Sequence, residues 1–183
     1  MQSKPYCQQD AVGKVEAARI QIRCLAPADA ALYRDIRLEA LRCNPEAFGS
    51  TFEAENAQPL TWFSERLGRA KVFGAFQGSE LVGTAALLLE EGRKEAHKGR
   101  LVGMYVRPAS RNAGVGRRLV ETIIERARES VELLQLSVVS GNEPARRLYT
   151  RLGFVEYGIE KKALKQDARY YDEILMARDL KPD

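Results

Sequence analysis

The most informative stretch of the chain spans residues 101–119 and reads LVGMYVRPASRNAGVGRRL. Its first part, residues 101–106, is rich in residues that favour β-structure, and Pro108 stops the strand that they predict. A turn that contains Gly114 follows, and the apolar spacing after it predicts an amphipathic helix over residues 115–129. The stretch therefore predicts a strand, a glycine-containing turn and a helix in direct succession.

The predicted helix begins without a side-chain cap. No Ser, Thr, Asp or Asn directly precedes Val115, and Arg117 and Arg118 lie in the first turn, where the helix dipole disfavours a cation by about 0.3–1 kcal/mol. Such a helix start is understandable if an anion binds there, because Gly114 and Gly116 let it approach the backbone N–H groups. The alternative is a simple glycine turn with solvated arginines.

Motif comparison and charge narrow down the expected anion. A dinucleotide-binding loop needs a third glycine where this chain has Leu119, and a Walker loop needs Lys-Ser/Thr where it has Arg117 and Arg118. Residues 98–118 carry six basic residues and no acid, whereas the rest of the chain sums to −2 within a net charge of +4. This local charge predicts a bound polyanion rather than a generally basic surface.

The remaining apolar patterns predict further helices and strands. The first predicted helix, over residues 28–42, is expected to bury Leu32, Ile36 and Ala40 on one stripe, and a second helix is predicted over residues 58–67. The predicted strands cover residues 19–24, 71–77, 81–89, 101–106, 133–139, 154–162 and 170–178. This order predicts an α/β chain with helices on both faces of a mixed sheet.

Length and composition indicate a single domain. The chain has 183 residues, of which 45% are hydrophobic and 30% are charged. Its most apolar run, residues 82–89, is far shorter than the roughly 20 residues of a membrane span. Residues 1–17 are polar, without periodicity or a secretory apolar region, and predict a flexible leader before a domain over residues 18–183. We therefore expect a soluble protein that uses no membrane.

Few residues of the chain could hold a metal. Cys7, Cys24 and Cys43 are odd in number and form no Cys-x-x-Cys pair, and the single histidine, His97, lies in a polar run. We therefore expect neither a disulfide framework nor a metal site. Reduced cysteines of this kind favour the cytoplasm.

A second motif follows the predicted helix and one further strand. Residues 142–154 read NEPARRLYTRLGF, in which Asn142 is suited to cap a helix, Pro144 lies in the first turn and Gly153 stands just beyond the helix end. This motif resembles the N-x-x-A-x-x-L/F-Y-x-x-x-G-F pattern of the GNAT acyltransferase superfamily. Residues 111–116, RNAGVG, are similar to the R/Q-x-x-G-x-G/A loop that follows the central strand of that family. Together the motifs indicate a resemblance over about residues 19–180.

The resemblance implies the GNAT acyltransferase fold: a central, mixed, mostly antiparallel twisted sheet of six to seven strands with helices on both faces. The runs LEAL and PEAF, residues 38–41 and 45–48, resemble one bacterial subgroup. The family uses acetyl-CoA as a co-substrate, and its central strand splays from the next strand to admit the pantetheine arm. The residues that the resemblance places on acetyl-CoA are Met104, Tyr105, Val106, Arg111, Asn112, Ala113, Gly114, Val115, Gly116, Arg117 and Asn142.

Acetyl transfer sets its own chemical demands. An amine attacks the thioester carbonyl, an oxyanion develops and a thiolate leaves. A backbone N–H of Met104, Tyr105 or Val106 can stabilise the oxyanion, and the thiolate gains from a nearby proton donor. The resemblance implies that Tyr149 stands near the sulfur and gives this proton. The alternative is that its ring only packs against the neighbouring apolar residues of its helix.

No motif specifies the base that accepts the amine proton. Glu53 is the candidate because, with Glu55, it lies between the first two predicted helices, where the family usually builds its acceptor site. The alternatives are a solvated loop carboxylate at this position, a water chain, or deprotonation before binding. An acyl-carrying Cys24 or Cys43 is disfavoured because neither has a paired histidine.

We expect the acceptor to enter between the first two helices and the final hairpin, where acids such as Glu173 could attract an amine. Residues 170–173 could line this pocket, form a homodimer contact or pack at a strand edge. The sequence leaves these three roles open.

The expected function is therefore an acetyl-CoA-dependent N-acetyltransferase that moves an acetyl group to a primary amine by direct attack on the thioester. The acceptor, a small molecule or a protein amine, is left open, and so is a homodimer. The alternative is a non-catalytic acyl-CoA-binding module, against which the presence of Tyr149 argues. A nucleic-acid partner is disfavoured because the cations gather at one helix start rather than along a stripe with aromatic residues.

Overall fold

The computed structural model describes residues 20–181, which form one seven-stranded sheet. The strands are β1 (Ile20–Cys24), β2 (Lys71–Gln77), β3 (Glu80–Leu89), β4 (Lys98–Val106), β5 (Leu133–Val139), β6 (Val155–Gln166) and β7 (Arg169–Asp179). Their order across the sheet is β1-β2-β3-β4-β5-β7-β6. All neighbours are antiparallel except β4 and β5, which confirms the expected mixed, mostly antiparallel sheet.

Helices cover both faces of the sheet, as predicted. They are α1 (Ala30–Cys43), α2 (Phe52–Asn56), α3 (Leu60–Arg69), α4 (Val115–Arg128) and α5 (Glu143–Arg151). Leu119 of α4 belongs to a core on one face, and Ile36 of α1 and Phe63 of α3 belong to a core on the other; all three side chains are fully buried. Among the described helices, none combines the length and the apolar character that crossing a membrane requires. The predicted leader, residues 1–17, and Cys7 lie outside the described residues.

The buried face of α1 differs from the predicted stripe. Leu32 is 41% exposed, whereas Tyr33, Ile36 and Ala40 are buried. Residues four apart advance by about 40° around a helix, so a stripe with this spacing drifts away from the core over two turns. The prediction was therefore right at Ile36 and Ala40 and wrong at Leu32.

The segment before α3 also differs from the expected loop. Residues 52–56 form the short helix α2, which begins at Thr51, whose hydroxyl accepts a hydrogen bond from the backbone N–H of Ala54 at 3.2 Å. Two positions apart on this helix, Glu53 is exposed and Glu55 is buried. The two acids that the sequence grouped together thus have opposite surroundings.

Glu55 forms a buried ion pair that joins α2 to α1. Arg37 donates from Nε to Glu55 Oε2 at 2.9 Å and from Nη2 to Oε1 at 2.7 Å, and Arg66 lies 3.6 Å from Oε1. Burial by itself would raise the pKa of Glu55, but the hydrogen bonds and the charge of Arg37, followed by a hydrogen bond with Ser50 and the charge of Arg66, hold it below its ordinary value. Glu55 therefore supports the fold and is not free to meet an acceptor.

We expect Glu55→Gln to lower the free energy of unfolding at neutral pH by about 3–5 kcal/mol, because it leaves the guanidinium of Arg37 buried without its counter-charge. The folded-state pKa of Glu55 is lowered, so its contribution is complete above the unfolded pKa of about 4.3 and is lost as the pH falls. The variant should therefore have a flatter acid limb in urea unfolding measured across this range.

The matched control is Glu65→Gln, which removes the acid of an exposed pair with Arg69. Its effect on the free energy of unfolding should stay within about 1 kcal/mol. Equal losses in the two variants would contradict the role assigned to the buried pair.

Candidate active site

The parallel strands β4 and β5 separate part of the way along their length. Their pairing ends at Arg100 with Gln135, although β4 continues over residues 101–106 and β5 over residues 136–139. On their other sides both strands keep antiparallel partners, β3 and β7, to their ends. A gap bordered by backbone groups without ladder partners therefore lies between the two strands, which confirms the splay implied by the resemblance.

A β-bulge shapes the β4 side of this gap. Between Val102 and Tyr105, β4 has one residue more than β3, and Gly103 in the bulge has a φ of +63°. This left-handed φ suits glycine, and a bulge bends its strand and re-aims the residues that follow. The bend thus falls at Met104, Tyr105 and Val106, the three strand residues predicted to contact acetyl-CoA.

The amino end of α4 lies next to the end of β4. Its N-cap residue is Gly114, at a φ of +79°, and no side chain within residues 20–181 accepts a hydrogen bond from the first N–H groups of the helix. The preceding loop also contains Asn112 at a φ of +62°. The free N–H groups and the positive end of the helix dipole together favour an anion, which agrees with the interpretation of the sequence.

Gly116 brings the start of α4 close to β4 and α5. A Cβ at this position would lie 3.1 Å from Met104 Cε, 3.4 Å from Leu148 Cδ2 and 3.8 Å from Val106 Cγ2. The space that this glycine leaves is therefore filled by neighbouring side chains. Close packing of the helix is thus a second reason for a glycine here, beside the approach of an anion.

Most of the cations that suggested a polyanion site pair with carboxylates from other parts of the chain. The salt bridges are Lys98–Glu95, Arg100–Glu90, Arg107–Glu39, Arg107–Glu80 and Arg117–Glu121. Within residues 20–181, Arg111 and Arg118 have no carboxylate partner and donate to the backbone oxygens of Val106 at 3.0 Å and Ile20 at 2.7 Å. Of the six cations, the two without a carboxylate partner in this part of the chain are therefore Arg111 and Arg118, one on either side of the glycine loop.

The end of α5 holds Tyr149 in place. The N–H of Phe154 donates to the backbone oxygen of Tyr149 at 3.1 Å, and the N–H of Gly153 donates to that of Thr150 at 3.0 Å, which is a Schellman motif. The rings of Tyr149 and Phe154 pack edge to face with their centroids 5.9 Å apart. The predicted helix end is confirmed, and the ring of Tyr149 is part of the core, as the packing alternative expected.

The hydroxyl of Tyr149 is suited to remain protonated. Burial raises the pKa of Tyr149 above its ordinary value, so the phenol is neutral at physiological pH. Among the described residues the hydroxyl has no hydrogen-bond partner, and Tyr149 as a whole is only 4% exposed. Tyr149 thus combines a packed ring with a hydroxyl that keeps its proton and has no protein partner within residues 20–181.

Asn142 caps α5, as predicted. Its Oδ1 accepts a hydrogen bond from the N–H of Ala145 at 3.3 Å. The oxygen is thereby engaged, whereas the side-chain nitrogen still has donors to offer. A contact of Asn142 with acetyl-CoA would therefore use this nitrogen.

A pocket of about 680 Å³ lies between the end of α1, the segment that leads into α2, and the β6–β7 hairpin. Its lining includes Arg42, Glu46, Glu53, Lys165, Asp167 and Tyr171. This is the side from which the sequence predicted that the acceptor enters. Glu53 lines the pocket, whereas Glu173 lies outside its lining.

One polar network beside β4 was not predicted from the sequence. The hydroxyl of Tyr105 donates to Glu39 Oε1 on α1 at 2.9 Å, and Arg107 Nε lies 3.1 Å from Glu39 Oε2. Burial, followed by the hydrogen bond to Glu39, raises the pKa of Tyr105 above its ordinary value. The network ties the middle of α1 to the strand end at the gap. The sequence signal for this network was Glu39, an acid between the buried residues Leu38 and Ala40 of α1.

The described residues contain no group of three or more His, Cys, Asp or Glu side chains that could hold a metal ion. Cys24 and Cys43 are free and exposed, and His97 is exposed at the start of β4. These side chains are not assembled into one site.

Comparison with known proteins places this chain in a family. The model of the acetyltransferase (GNAT) family matches residues 33–154. The L-amino acid N-acetyltransferase AaaT of Escherichia coli is 25% identical over 146 residues, which cover 77% of this chain and 89% of that protein. The N-alpha-acetyltransferase RimI of Mycobacterium tuberculosis is 29% identical over 145 residues, which cover 78% and 88%. The structure of YncA from Salmonella typhimurium with its cofactor acetyl-CoA has a TM-score of 0.73 and 21% identity, and the match covers 90% of this chain and 95% of that one.

The chain therefore belongs to the acetyltransferase (GNAT) family and has the fold of that family. It is an N-acetyltransferase, an acyltransferase that uses acetyl-CoA.

A negative charge in the loop before α4 should weaken the binding of acetyl-CoA. Ala113 is exposed and directly precedes the N-cap residue Gly114. We expect Ala113→Asp to lower the affinity at least tenfold, or about 1.4 kcal/mol, because it places a carboxylate where a phosphate would bind. Titration calorimetry with acetyl-CoA measures the effect. Ala113→Asn, which is similar in size but neutral, should lower the affinity by less than about threefold; unchanged affinity in the Asp variant would remove the loop from the cofactor site.

Proposed function

We propose that this enzyme transfers the acetyl group of acetyl-CoA to a primary amine, and that the amine attacks the thioester directly. The observation that carries the proposal is the gap between β4 and β5 beside the uncapped start of α4. Backbone groups without ladder partners suit an extended arm that contains amides, and the helix start suits phosphates. The two features occur together at one end of the sheet.

The residues that would hold acetyl-CoA follow the chain from β4 into α4. Backbone groups of Met104, Tyr105 and Val106 would bind the pantetheine arm, and Asn142 would approach it from the far side of the gap. The N–H groups that would bind the pyrophosphate belong to Asn112, Ala113, Gly114, Val115, Gly116 and Arg117. The backbone N–H of Arg111 already donates to the oxygen of Pro108 at 3.2 Å, so Arg111 would contact the phosphates through its side chain.

Acetyl-CoA supplies an activated acetyl group as a thioester. A backbone N–H near Met104 would donate to the carbonyl oxygen as negative charge develops there, and such donors are most effective where water is excluded. Tyr149 would give its hydroxyl proton to the leaving sulfur. Because burial raises the pKa of Tyr149, its hydroxyl stays protonated at physiological pH and can act as the proton donor when the thiolate leaves.

Glu53 is the proposed base for the ammonium group of the acceptor. Its carboxylate is exposed, lines the pocket and takes part in no salt bridge within residues 20–181. It could take the proton directly or through a water molecule. Glu39 contacts β4 directly, but Tyr105 and Arg107 already engage its two oxygens. We therefore prefer Glu53 to Glu39 as the proposed base.

Two observations support an enzyme over a non-catalytic acyl-CoA-binding module: the pocket between α1 and the β6–β7 hairpin, and the hydroxyl of Tyr149, which has no hydrogen-bond partner among the described residues. A binding module would need neither feature. The relatives do not select one acceptor, since one name refers to L-amino acids and the other to N-alpha-acetylation. A cytoplasmic location, a homodimer and the absence of a nucleic-acid partner stay predictions.

Tyr149→Phe should slow the chemical step with little effect on the fold. The variant keeps the ring that packs on Phe154 and deletes the proton, so single-turnover acetyl transfer should fall by about 10²–10⁴-fold. The free energy of unfolding should change by less than about 1.5 kcal/mol. Tyr157→Phe, at an exposed position on β6, is the matched control and should leave the rate unchanged. If Tyr149→Phe also transfers at the wild-type rate, Tyr149 is only a packing residue.

Glu53→Gln should lower turnover with an amine at least about tenfold while leaving the affinity for acetyl-CoA within about twofold. The loss should shrink as the pH rises towards the pKa of the amine, because more of the acceptor then arrives deprotonated. Initial rates over a pH series measure this, with Glu125→Gln on the exposed side of α4 as the matched control. Rates equal to wild type at every pH would exclude Glu53 as the base and favour deprotonation by solvent.

A further inference from the structure

The pocket beside α1 contains charges of both signs that have no partners within the described part of the chain. Three carboxylates, Glu46, Glu53 and Asp167, and two cations, Arg42 and Lys165, belong to its lining. None of the five takes part in a salt bridge within residues 20–181. Such a wall is complementary to a ligand that itself carries both charges.

Arg42 is the better placed of the two cations. Its guanidinium lies 4.4 Å from the centroid of the Phe52 ring, and Phe52 also lines the pocket. Stacking on a ring holds the planar group in one orientation while its N–H groups along the edge remain available. A carboxylate can accept two parallel hydrogen bonds from such an edge. Lys165, by contrast, lies over Tyr170, which is outside the lining.

The position of Arg42 on α1 brings it near the reacting strand. Arg42 lies three residues after Glu39, whose side chain contacts the hydroxyl of Tyr105 on β4. Three residues of helix correspond to about 4.5 Å along the axis. The pocket wall at Arg42 therefore lies just under one turn of α1 from the contact between α1 and Tyr105 of β4.

We propose that the acceptor is an amine with a carboxylate close to its amino group, as in a free α-amino acid, and that Arg42 binds this carboxylate. The inference rests on the proposed function, because it names the acceptor class of that reaction. Glu53, on the same pocket wall, would then face the amino group. A peptide or protein N-terminus has an amide in place of this carboxylate and would lose the contact with Arg42.

The test compares acceptors that differ only in the carboxylate. A panel of L-amino acids, each beside its primary amide, is offered to the wild-type enzyme and to Arg42→Met, which keeps an apolar stem over Phe52 but removes the charge. We expect the wild type to acetylate at least one amino acid with a kcat/KM at least about tenfold above that of its amide. Arg42→Met should abolish this preference by lowering the amino-acid value alone.

Two further variants separate charge from structure. Arg42→Lys keeps the charge without the planar fork and should retain part of the preference. Arg128→Met is the control, since Arg128 is an exposed arginine at the end of α4 that lies outside the pocket and forms no salt bridge within residues 20–181. It should leave both values unchanged.

Calorimetry tests the inference independently of turnover. It measures the binding of each amino acid and each amide to the enzyme saturated with coenzyme A. If a preference that depends on Arg42 is found in binding while no acceptor is acetylated, the carboxylate contact of Arg42 is supported and the proposed function fails. If amides serve as well as amino acids, or if Arg42→Met weakens both alike, the inference is overturned while the proposed function stands. Failure of every amino acid to bind also overturns it.

Discussion

The rest of the site depends on the separation of β4 from β5. A parallel ladder that continued to the strand ends would use the backbone groups of residues 101–106 and 136–139 and leave no space between them. The bulge at Gly103 bends β4 on one side, and β7 holds β5 along its whole length on the other. A buried backbone group without a hydrogen-bond partner costs about 1–3 kcal/mol. A ligand that forms these missing hydrogen bonds removes this cost, which favours its binding.

Close helix packing places the uncapped start of α4 beside this gap. A Cβ on Gly83 of β3 would lie 3.1 Å from Val115, from Leu119 and from the backbone oxygen of Tyr105, so the absence of one lets α4 lie directly on the sheet. The helix dipole and its free N–H groups then act at the end of β4. Because the neighbouring cations pair with carboxylates, Arg111 and Arg118 are the two of the six that add unpaired positive charge here within residues 20–181.

The helix α1 connects the stability of the fold to the chemistry of the site. Arg37 holds α2 through the buried pair with Glu55, Glu39 holds the end of β4 through Tyr105, and Arg42 belongs to the pocket. These side chains point in different directions from one rigid element. The distance between the end of β4 and the pocket is therefore set by the rigid body of α1.

The sequence by itself determined the seven strands, every described helix except the short α2, the uncapped start at Gly114, the cap at Asn142 and the helix end at Gly153. These features depend on neighbours within about four residues. It also determined the family, since both motifs lie in such local segments. Only the tertiary structure decided which carboxylates pair with the arginines and which residues build the pocket. Arg37 and Glu55 are 18 residues apart, and Tyr105 and Glu39 are 66 apart. A pattern with a period of 2 or 3.6 residues contains no information about contacts over such separations.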